Sequence, residues 1–197
     1  MPTEVVIRYL KGNTGRNKLK LQIALQCAPV IKGIKASNAI GIPTKDRILL
    51  LELLSRTGIS CTCLYESEEK CIFLLFRQDL LDSLLRKEKI IGFLMQYGYT
   101  EQGCGAMLTR LSIRLQNYYY RKHEFPHEMG VFLEYPVEDV KAFIENNGKN
   151  SLFTGYWKVY QNPQNARSLF HLYDKAKEEA VVAILNGKAL YEIMNYT

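Results

Sequence analysis

The spacing of apolar positions along this chain predicts more helix than strand. The clearest helix lies at 43–58, where Ile48, Leu51 and Leu54 follow one helical face and Gly58 is placed to end it. Asn162 and Pro163 are suited to start another helix that closes near 186. The same spacing predicts further helices at about 78–97, 103–117, 137–146 and 189–196.

A helix that begins near residue 19 raises a question about its end. Leu21, Ala24 and Leu25 lie on one helical face, but Pro29 follows soon after. Proline disfavours helical geometry in the residue before it, so we expect Pro29 to end or kink this helix. Cys27 would then lie in the last turn.

Strands are predicted in three places. Residues 59–76 read as two β-rich runs joined by Glu-Ser-Glu-Glu-Lys, which indicates an antiparallel hairpin. Its second run is nearly all apolar and is therefore expected to be a central strand. Shorter strands are predicted at 4–10 and 153–160.

These elements predict one domain of the α+β class. The chain has no internal repeat and no Pro- or Ser-rich linker. We expect a helix-rich domain at 21–197 with a small, mostly antiparallel sheet. Residues 1–20 would form a basic extension made of the strand and a loop.

Positive charge is concentrated in the first third of the chain. Residues 1–60 contain 10 Lys and Arg against 3 Asp and Glu, whereas the remaining residues contain 16 against 17. Such asymmetry suggests an anionic ligand or a nucleic acid as partner, although it also fits a solvated basic face. The oligomeric state is not predicted.

Cysteine use and hydropathy bear on the compartment. The sequence has no apolar run of membrane-spanning length and no secretory signal at 1–18, so we expect a cytoplasmic protein. The five cysteines, an odd number, should then be thiols. Cys61, Cys63 and Cys71 fall in the predicted hairpin, where Cys-x-Cys within a strand lacks the usual zinc spacing. We interpret them as packing residues and assign no metal and no cofactor.

Candidate chemistry centres on the stretch Phe-Pro-His-Glu-Met-Gly-Val-Phe-Leu-Glu-Tyr-Pro at 125–136. His127 could act as a general base, with Glu128 beside it, and Cys27 could supply a thiolate if the fold brings it near. The alternative is that His127 and Glu128 only close a turn. Arg110 and Arg114, four residues apart on a predicted helix, could clamp an anion.

Two blocks of the chain resemble a known family. The block Phe-Pro-His-Glu…Asn-Asn-Gly-Lys at 125–149, followed by Gly-Tyr-Trp-Lys-Val-Tyr at 155–160, closely resembles a bacterial family catalogued only as domain of unknown function number 3793. The Cys-Ala-Pro segment at 26–38 looks like the family's N-terminal block, and the resemblance runs from about 21 to 190. It implies a shared fold and a shared site around Cys27, Lys35, His127, Glu128, Trp157 and Lys158, but no activity.

The resemblance also bears on metal binding. Family members typically carry a Cys-x-Cys-x-x-Cys cluster before Trp-Lys-Val-Tyr and a fourth cysteine in the next helix. The matching positions here are Ser151, Phe153, Tyr156 and Ala176. Four thiols would suit zinc or an iron–sulfur cluster, so this chain should lack that metal.

Two function classes follow from the sequence. The favoured one is a binding or regulatory protein for an anionic small molecule, a nucleic acid or an acidic partner. Its candidate ligand-binding residues are Lys35, Arg110, Arg114, Tyr135, Trp157, Lys158 and Tyr160. The alternative is a thiol-dependent enzyme that uses Cys27 with His127, which no complete set of nucleophile, base and orienting group supports.

Overall fold

Most of the chain is helical in the computed structural model, which describes residues 3–13, 15–100, 103–120 and 123–194. The helices are α1 (Thr3–Gly12), α2 (Arg16–Ile31), α3 (Arg47–Leu54), α4 (Gln78–Leu85), α5 (Glu88–Met95), α6 (Cys104–Tyr119), α7 (Met129–Phe132), α8 (Val137–Glu145) and α9 (Pro163–Leu185). Single 3-10 turns lie at Thr44–Asp46 and Leu190–Glu192.

A three-stranded antiparallel sheet lies at the centre. Its strands are β1 (Ser37–Pro43), β2 (Ser60–Glu66) and β3 (Lys70–Phe76), in the spatial order β1-β3-β2. A second, two-stranded sheet pairs β4 (Phe153–Thr154) with β5 (Lys158–Val159). The predicted α+β class, the hairpin at 59–76 and the central place of its second strand are all confirmed.

Both faces of the central sheet are covered, which explains the unbroken apolar run of β3. Cys71, Phe73 and Leu75 pack into a core with α2, α3 and α9. Residues 72, 74 and 76 point the other way, into a core built with α4 to α8. Alternate strand residues face opposite sides, so a strand buried on both needs apolar residues throughout.

The predicted strand at 4–10 is wrong, because this segment belongs to α1. Its valines and isoleucine favour a strand by propensity. However, Val6, Tyr9 and Leu10 recur at helical spacing and pack against the core around α2. Tertiary packing therefore overrides the local preference.

Proline does not end α2 where the sequence suggests. Pro29 lies inside the helix, which continues to Ile31. The carbonyl of Pro29 then accepts hydrogen bonds from the amides of Ile34 (2.8 Å) and Lys35 (3.1 Å). This turn brings Lys35 back towards the end of α2, next to Cys27.

Three further predictions need correction. The helix predicted at 78–97 is broken at Arg86 and Lys87, because α4 and α5 each turn their own apolar face to the core. The strand predicted at 153–160 folds into the tight β4–β5 hairpin. The predicted last helix is a single 3-10 turn at Leu190–Glu192 within the described residues, and its end at 195–196 lies outside them.

Among the described helices, none combines the length and the apolar character needed to cross a bilayer.

Candidate functional site

A cavity of about 290 Å³ opens between α7, α8 and the β4–β5 hairpin. We call it the aromatic cavity. Gly130 permits α7 to approach α8 here, since a Cβ at this position would lie 2.9 Å from Cγ2 of Val140. The cavity is lined by Phe125, His127, Met129, Gly130, Leu133, Tyr135, Asp139, Val140, Phe143, Trp157 and Lys158.

The indole of Trp157 is held in the cavity wall by a buried carboxylate. Asp139 lies in the first turn of α8 and accepts a hydrogen bond from Nε1 of Trp157 (2.7 Å) through one oxygen. Its other oxygen accepts the backbone N–H groups of Tyr160 and Gln161, each at 2.9 Å. Three donors on one buried carboxylate fix the hairpin and the indole relative to α8.

Tyr135 links the cavity to the buried Lys35. The rings of Tyr135 and Trp157 stack with centroids 5.2 Å apart. The Lys35 ammonium lies 5.4 Å from the centroid of Tyr135 and 5.6 Å from that of Tyr173, within cation–π range. Lys35 therefore touches a cavity-lining ring without itself lining the cavity.

His127 and Lys158 both lie against the ring of Phe143. The centroids of His127 and Phe143 are 5.1 Å apart, and the Lys158 ammonium lies 5.8 Å from the Phe143 centroid. Lys158 donates to the carbonyl of Gly148 at 2.6 Å, which uses one of its three donors. The exposed His127 and the half-buried Lys158 are thus the side chains best placed to meet a polar group on a ligand.

Glu128 points away from the cavity although it follows His127 directly. The amide of Met129 donates to the carbonyl of Pro126, so His127 and Glu128 occupy the centre of a turn and their side chains diverge. Glu128 is fully buried and accepts hydrogen bonds from Nε of Arg114 and, at 3.0 Å, from the Tyr99 hydroxyl. Burial, reinforced by Glu128, raises the pKa of Tyr99. Glu128 and Arg114 therefore form an internal ion pair.

The other arginine and Tyr160 also lie outside the aromatic cavity. Arg110 donates through Nε (2.9 Å) and Nη2 (2.7 Å) to the carbonyl of Tyr97. With Arg114 it borders a separate surface depression of about 220 Å³. The Tyr160 hydroxyl is buried and finds no hydrogen-bond partner among the described residues. Anion clamping by the two arginines stays a prediction, but both guanidinium groups already have partners.

Cys27 lies in the core beside Lys35, not in the aromatic cavity. Its side chain is fully buried. Burial raises the pKa of its thiol to about 12, although Lys35 and Asn38 act in the opposite direction. His127 has Phe125 and Phe143 as its ring neighbours. A nucleophilic thiolate needs access and a low pKa, and this environment opposes both.

The charge of Lys35 gives stability a pH dependence. Burial lowers the pKa of its ammonium to about 8, although Cys27 and Glu134 act in the opposite direction. The folded state therefore releases this proton at a lower pH than the unfolded state, so stability rises with pH above the folded pKa. We expect the protein to gain about 1 kcal/mol of unfolding free energy relative to Lys35→Met between about pH 7 and pH 9.

Urea unfolding at the two pH values measures this gain. The matched control is Lys45→Met, which removes an exposed lysine. Its unfolding free energy should change between the two pH values as much as that of the unsubstituted protein. If the unfolding free energy of Lys35→Met changes between the two pH values as much as that of the unsubstituted protein, the buried ammonium is not the source of the effect.

Part of the basic charge of residues 1–60 is neutralised within the fold. Arg16 pairs with Glu52, Lys32 with Glu179, and Arg47 with Glu66. An anionic partner for this region stays a prediction.

Aromatic residues occupy two of the four positions where the resemblance implies a missing thiol. Phe153 and Tyr156 both contact the ring of Phe170, with centroids 5.9 and 5.3 Å apart. Ala176 is buried in the core with α2. That this chain lacks the family's metal at these positions stays a prediction.

Sequence reasoning missed several residues of the cavity. Asp139, Val140 and Phe143 lie on the inner face of α8, whereas the helical spacing predicted only a helix at 137–146. An acidic residue between Val137 and Val140 was an available signal, because a buried carboxylate requires partners.

The fold and the cavity together define an α+β domain with an apolar, ligand-sized cavity beside a buried lysine. The chain belongs to the family described as protein of unknown function (DUF3793), whose family model matches residues 23–194. This match confirms the resemblance. No curated protein and no solved structure matches the chain.

Proposed function

We propose that this protein binds a small, mostly apolar molecule that carries an acidic group, and that the aromatic cavity is the binding site. The observation that carries the proposal is the pairing of His127 and Lys158 against Phe143 in a cavity whose other lining is almost entirely apolar. Ligand sites in proteins typically combine an apolar lining with a few polar groups that fix orientation.

The size of the cavity limits the ligand. A volume of about 290 Å³ is at the lower end of the range for small-molecule sites. Asp139 does not repel an anion strongly here, because its oxygens face the indole and two backbone amides. The available cationic group is the Lys158 ammonium, with two donors left after its bond to Gly148.

A thiol-dependent reaction is not part of the proposal. Cys27 is buried behind Lys35, and its raised pKa keeps it a thiol at neutral pH. The protein is therefore proposed to bind this molecule without a reaction at Cys27.

The test uses hydrocinnamate and its uncharged amide as probes. Trp157 is the single tryptophan of the chain and lines the cavity, so its fluorescence reports occupancy directly. We expect hydrocinnamate to change this fluorescence and to bind more tightly than the amide. Lys158→Met, which keeps an unbranched apolar chain over Phe143, should weaken hydrocinnamate binding roughly tenfold and leave the amide unaffected.

Lys149→Met is the matched control, because it removes an exposed charge nearby from a residue that does not line the cavity. It should bind hydrocinnamate like the unsubstituted protein. No fluorescence change with either probe would contradict the cavity as a binding site. Equal weakening in both lysine variants would show that general charge, and not Lys158, attracts the acid.

A further inference from the structure

The turn end of the β2–β3 hairpin brings together three metal-binding side chains. The sulfurs of Cys63 and Cys71 and a carboxylate oxygen of Glu66 all lie within 4.8 Å of one another. Cys63 is half-buried, Glu66 is exposed and Cys71 is buried, so the group is anchored in the protein and open on one side. It lies apart from the aromatic cavity, and the inference is independent of the proposed function.

A β-bulge creates this arrangement. In a regular strand Cys63 and Glu66, an odd number of residues apart, would face opposite sides of the sheet. The register shifts between Cys63 and Tyr65, so that Cys63 pairs with Phe73 whereas Glu66 pairs with Cys71. Leu64 is the extra residue. The bulge therefore turns Cys63 and Glu66 towards the same face as Cys71.

The chemistry of the donors points to a particular ion. Two thiolates with one carboxylate suit zinc, which takes sulfur and oxygen ligands in a tetrahedral arrangement. We infer that Cys63, Glu66 and Cys71 bind one zinc ion and leave the fourth coordination position to water. Ligand atoms around tetrahedral zinc lie about 3.8 Å apart. Side-chain rotations that move the ligand atoms by about one ångström therefore close the group around the ion.

The charges around the group favour occupation by a divalent cation. Nη1 of Arg47 donates to both oxygens of Glu66 at 3.1 Å. Two thiolates and a carboxylate carry three negative charges, which one zinc ion and the Arg47 guanidinium neutralise. Each carboxylate oxygen keeps a further lone pair, so Arg47 can orient the ligand as outer-shell groups do in metal sites.

Without metal, both thiols of the group make hydrogen bonds to neighbouring oxygens. The Cys63 thiol donates to the carbonyl of Tyr65 (3.3 Å), and the Cys71 thiol donates to the Thr44 hydroxyl (3.4 Å). Burial raises the pKa of Cys63, and neighbouring Cys71 and Glu66 raise it further against the effect of Arg47. Zinc binding must therefore displace the proton of the Cys63 thiol.

This inference is the alternative to the interpretation of the hairpin cysteines as packing residues. That interpretation grouped Cys61 with Cys63 and Cys71, because all three fall in the predicted hairpin. The bulge instead adds Glu66, and Cys61 does not belong to the group. Cys61 therefore serves as a matched control on the same strand.

The test is titration of the full chain with cobalt(II) after chelator treatment under reducing conditions. Cobalt replaces zinc and reports thiolate ligands by charge-transfer absorption. We expect tetrahedral cobalt absorption that saturates at about one ion per chain and disappears when zinc is added. Cys61→Ser should bind like the unsubstituted protein.

The ligand variants give the decisive contrast. Cys63→Ser should lose most of the charge-transfer absorption, and Glu66→Gln should retain it with weaker affinity. Arg47→Gln should weaken binding roughly 10- to 100-fold, as expected for an outer-shell partner. Cys63 and Glu66 are not fully buried, so their variants should fold, and circular dichroism checks this.

Cobalt uptake without charge-transfer absorption would overturn the inference, since it would mean binding by surface carboxylates. Equal loss in Cys61→Ser and Cys63→Ser would overturn it as well. In either case the interpretation as packing residues would hold for the hairpin cysteines.

Discussion

Arg114→Met should lower the free energy of unfolding by about 3–5 kcal/mol, because it leaves a buried carboxylate without its cation. Glu128 has no exposed surface, and Arg114 supplies two of its hydrogen bonds, while Tyr99 supplies another. Arg114 itself is about one-third exposed, so its loss matters chiefly through the charge that remains inside. Urea denaturation at neutral pH measures the change.

Two further variants separate this effect from lost packing. Arg110→Met, one turn earlier on α6, removes an exposed guanidinium whose hydrogen bonds within the described residues go to one carbonyl, and it should cost about 1 kcal/mol. The double variant Arg114→Met/Glu128→Gln should recover much of the loss, since glutamine carries no charge and can still accept from Tyr99. If the double variant is no more stable than Arg114→Met, the buried charge is not the cause.

Asp139→Ala should be similarly damaging, with a loss of about 3–5 kcal/mol in the free energy of unfolding. It leaves the indole N–H of Trp157 and two backbone N–H groups without their shared acceptor. The fluorescence of Trp157 should also change without any ligand, because the indole is no longer held in the cavity wall. Urea unfolding followed by circular dichroism gives the stability independently of this signal.

Asp174→Ala is the matched control for this change. Asp174 is an exposed carboxylate on α9 that accepts from Tyr156 and Lys177, and its loss should cost less than about 1 kcal/mol. Asp139→Asn should fall between the two, because its amide oxygen can serve the backbone donors while its nitrogen faces the indole N–H. A loss in Asp139→Ala no larger than in Asp174→Ala would contradict the anchoring role.

The sequence predicts those elements of the fold whose ends carry local signals. Asn162 and Pro163 mark the start of α9, and Asn186 with Gly187 marks its end. The Glu-Ser-Glu-Glu-Lys turn likewise separates β2 from β3. Backbone conformations at caps and turns depend on the residues that adopt them, so these boundaries can be read locally.

Elements held by distant contacts are harder to predict. β1 contains Gly41 and Pro43, which lower its strand propensity, yet it pairs along its whole length with β3. The break between α4 and α5 is hidden because apolar residues recur on both sides of it. The bulge in β2 cannot be predicted from the sequence either, since period-two alternation assumes that every strand residue pairs with a residue on the neighbouring strand.

In the candidate site, too, the placement of some residues could be predicted from the sequence and that of others could not. His127, Tyr135, Trp157 and Lys158 line one cavity, and the blocks that carry the family resemblance contain all four. Residue type alone could not separate His127 from Glu128, because the direction of each side chain depends on the turn between Pro126 and Met129. Cys27 looked reactive at the end of a helix, but its burial depends on elements far along the chain.

The contact between α2 and α9 has a consequence for how the chain is made. These helices come from opposite ends of the described chain, and α2 carries buried side chains such as Leu21, Ile23 and Ile31. During synthesis α2 emerges early and remains without its packing partner until α9 has left the ribosome. A nascent or truncated chain that stops before Pro163 therefore exposes the apolar surface of α2 to other molecules, and such surfaces promote aggregation.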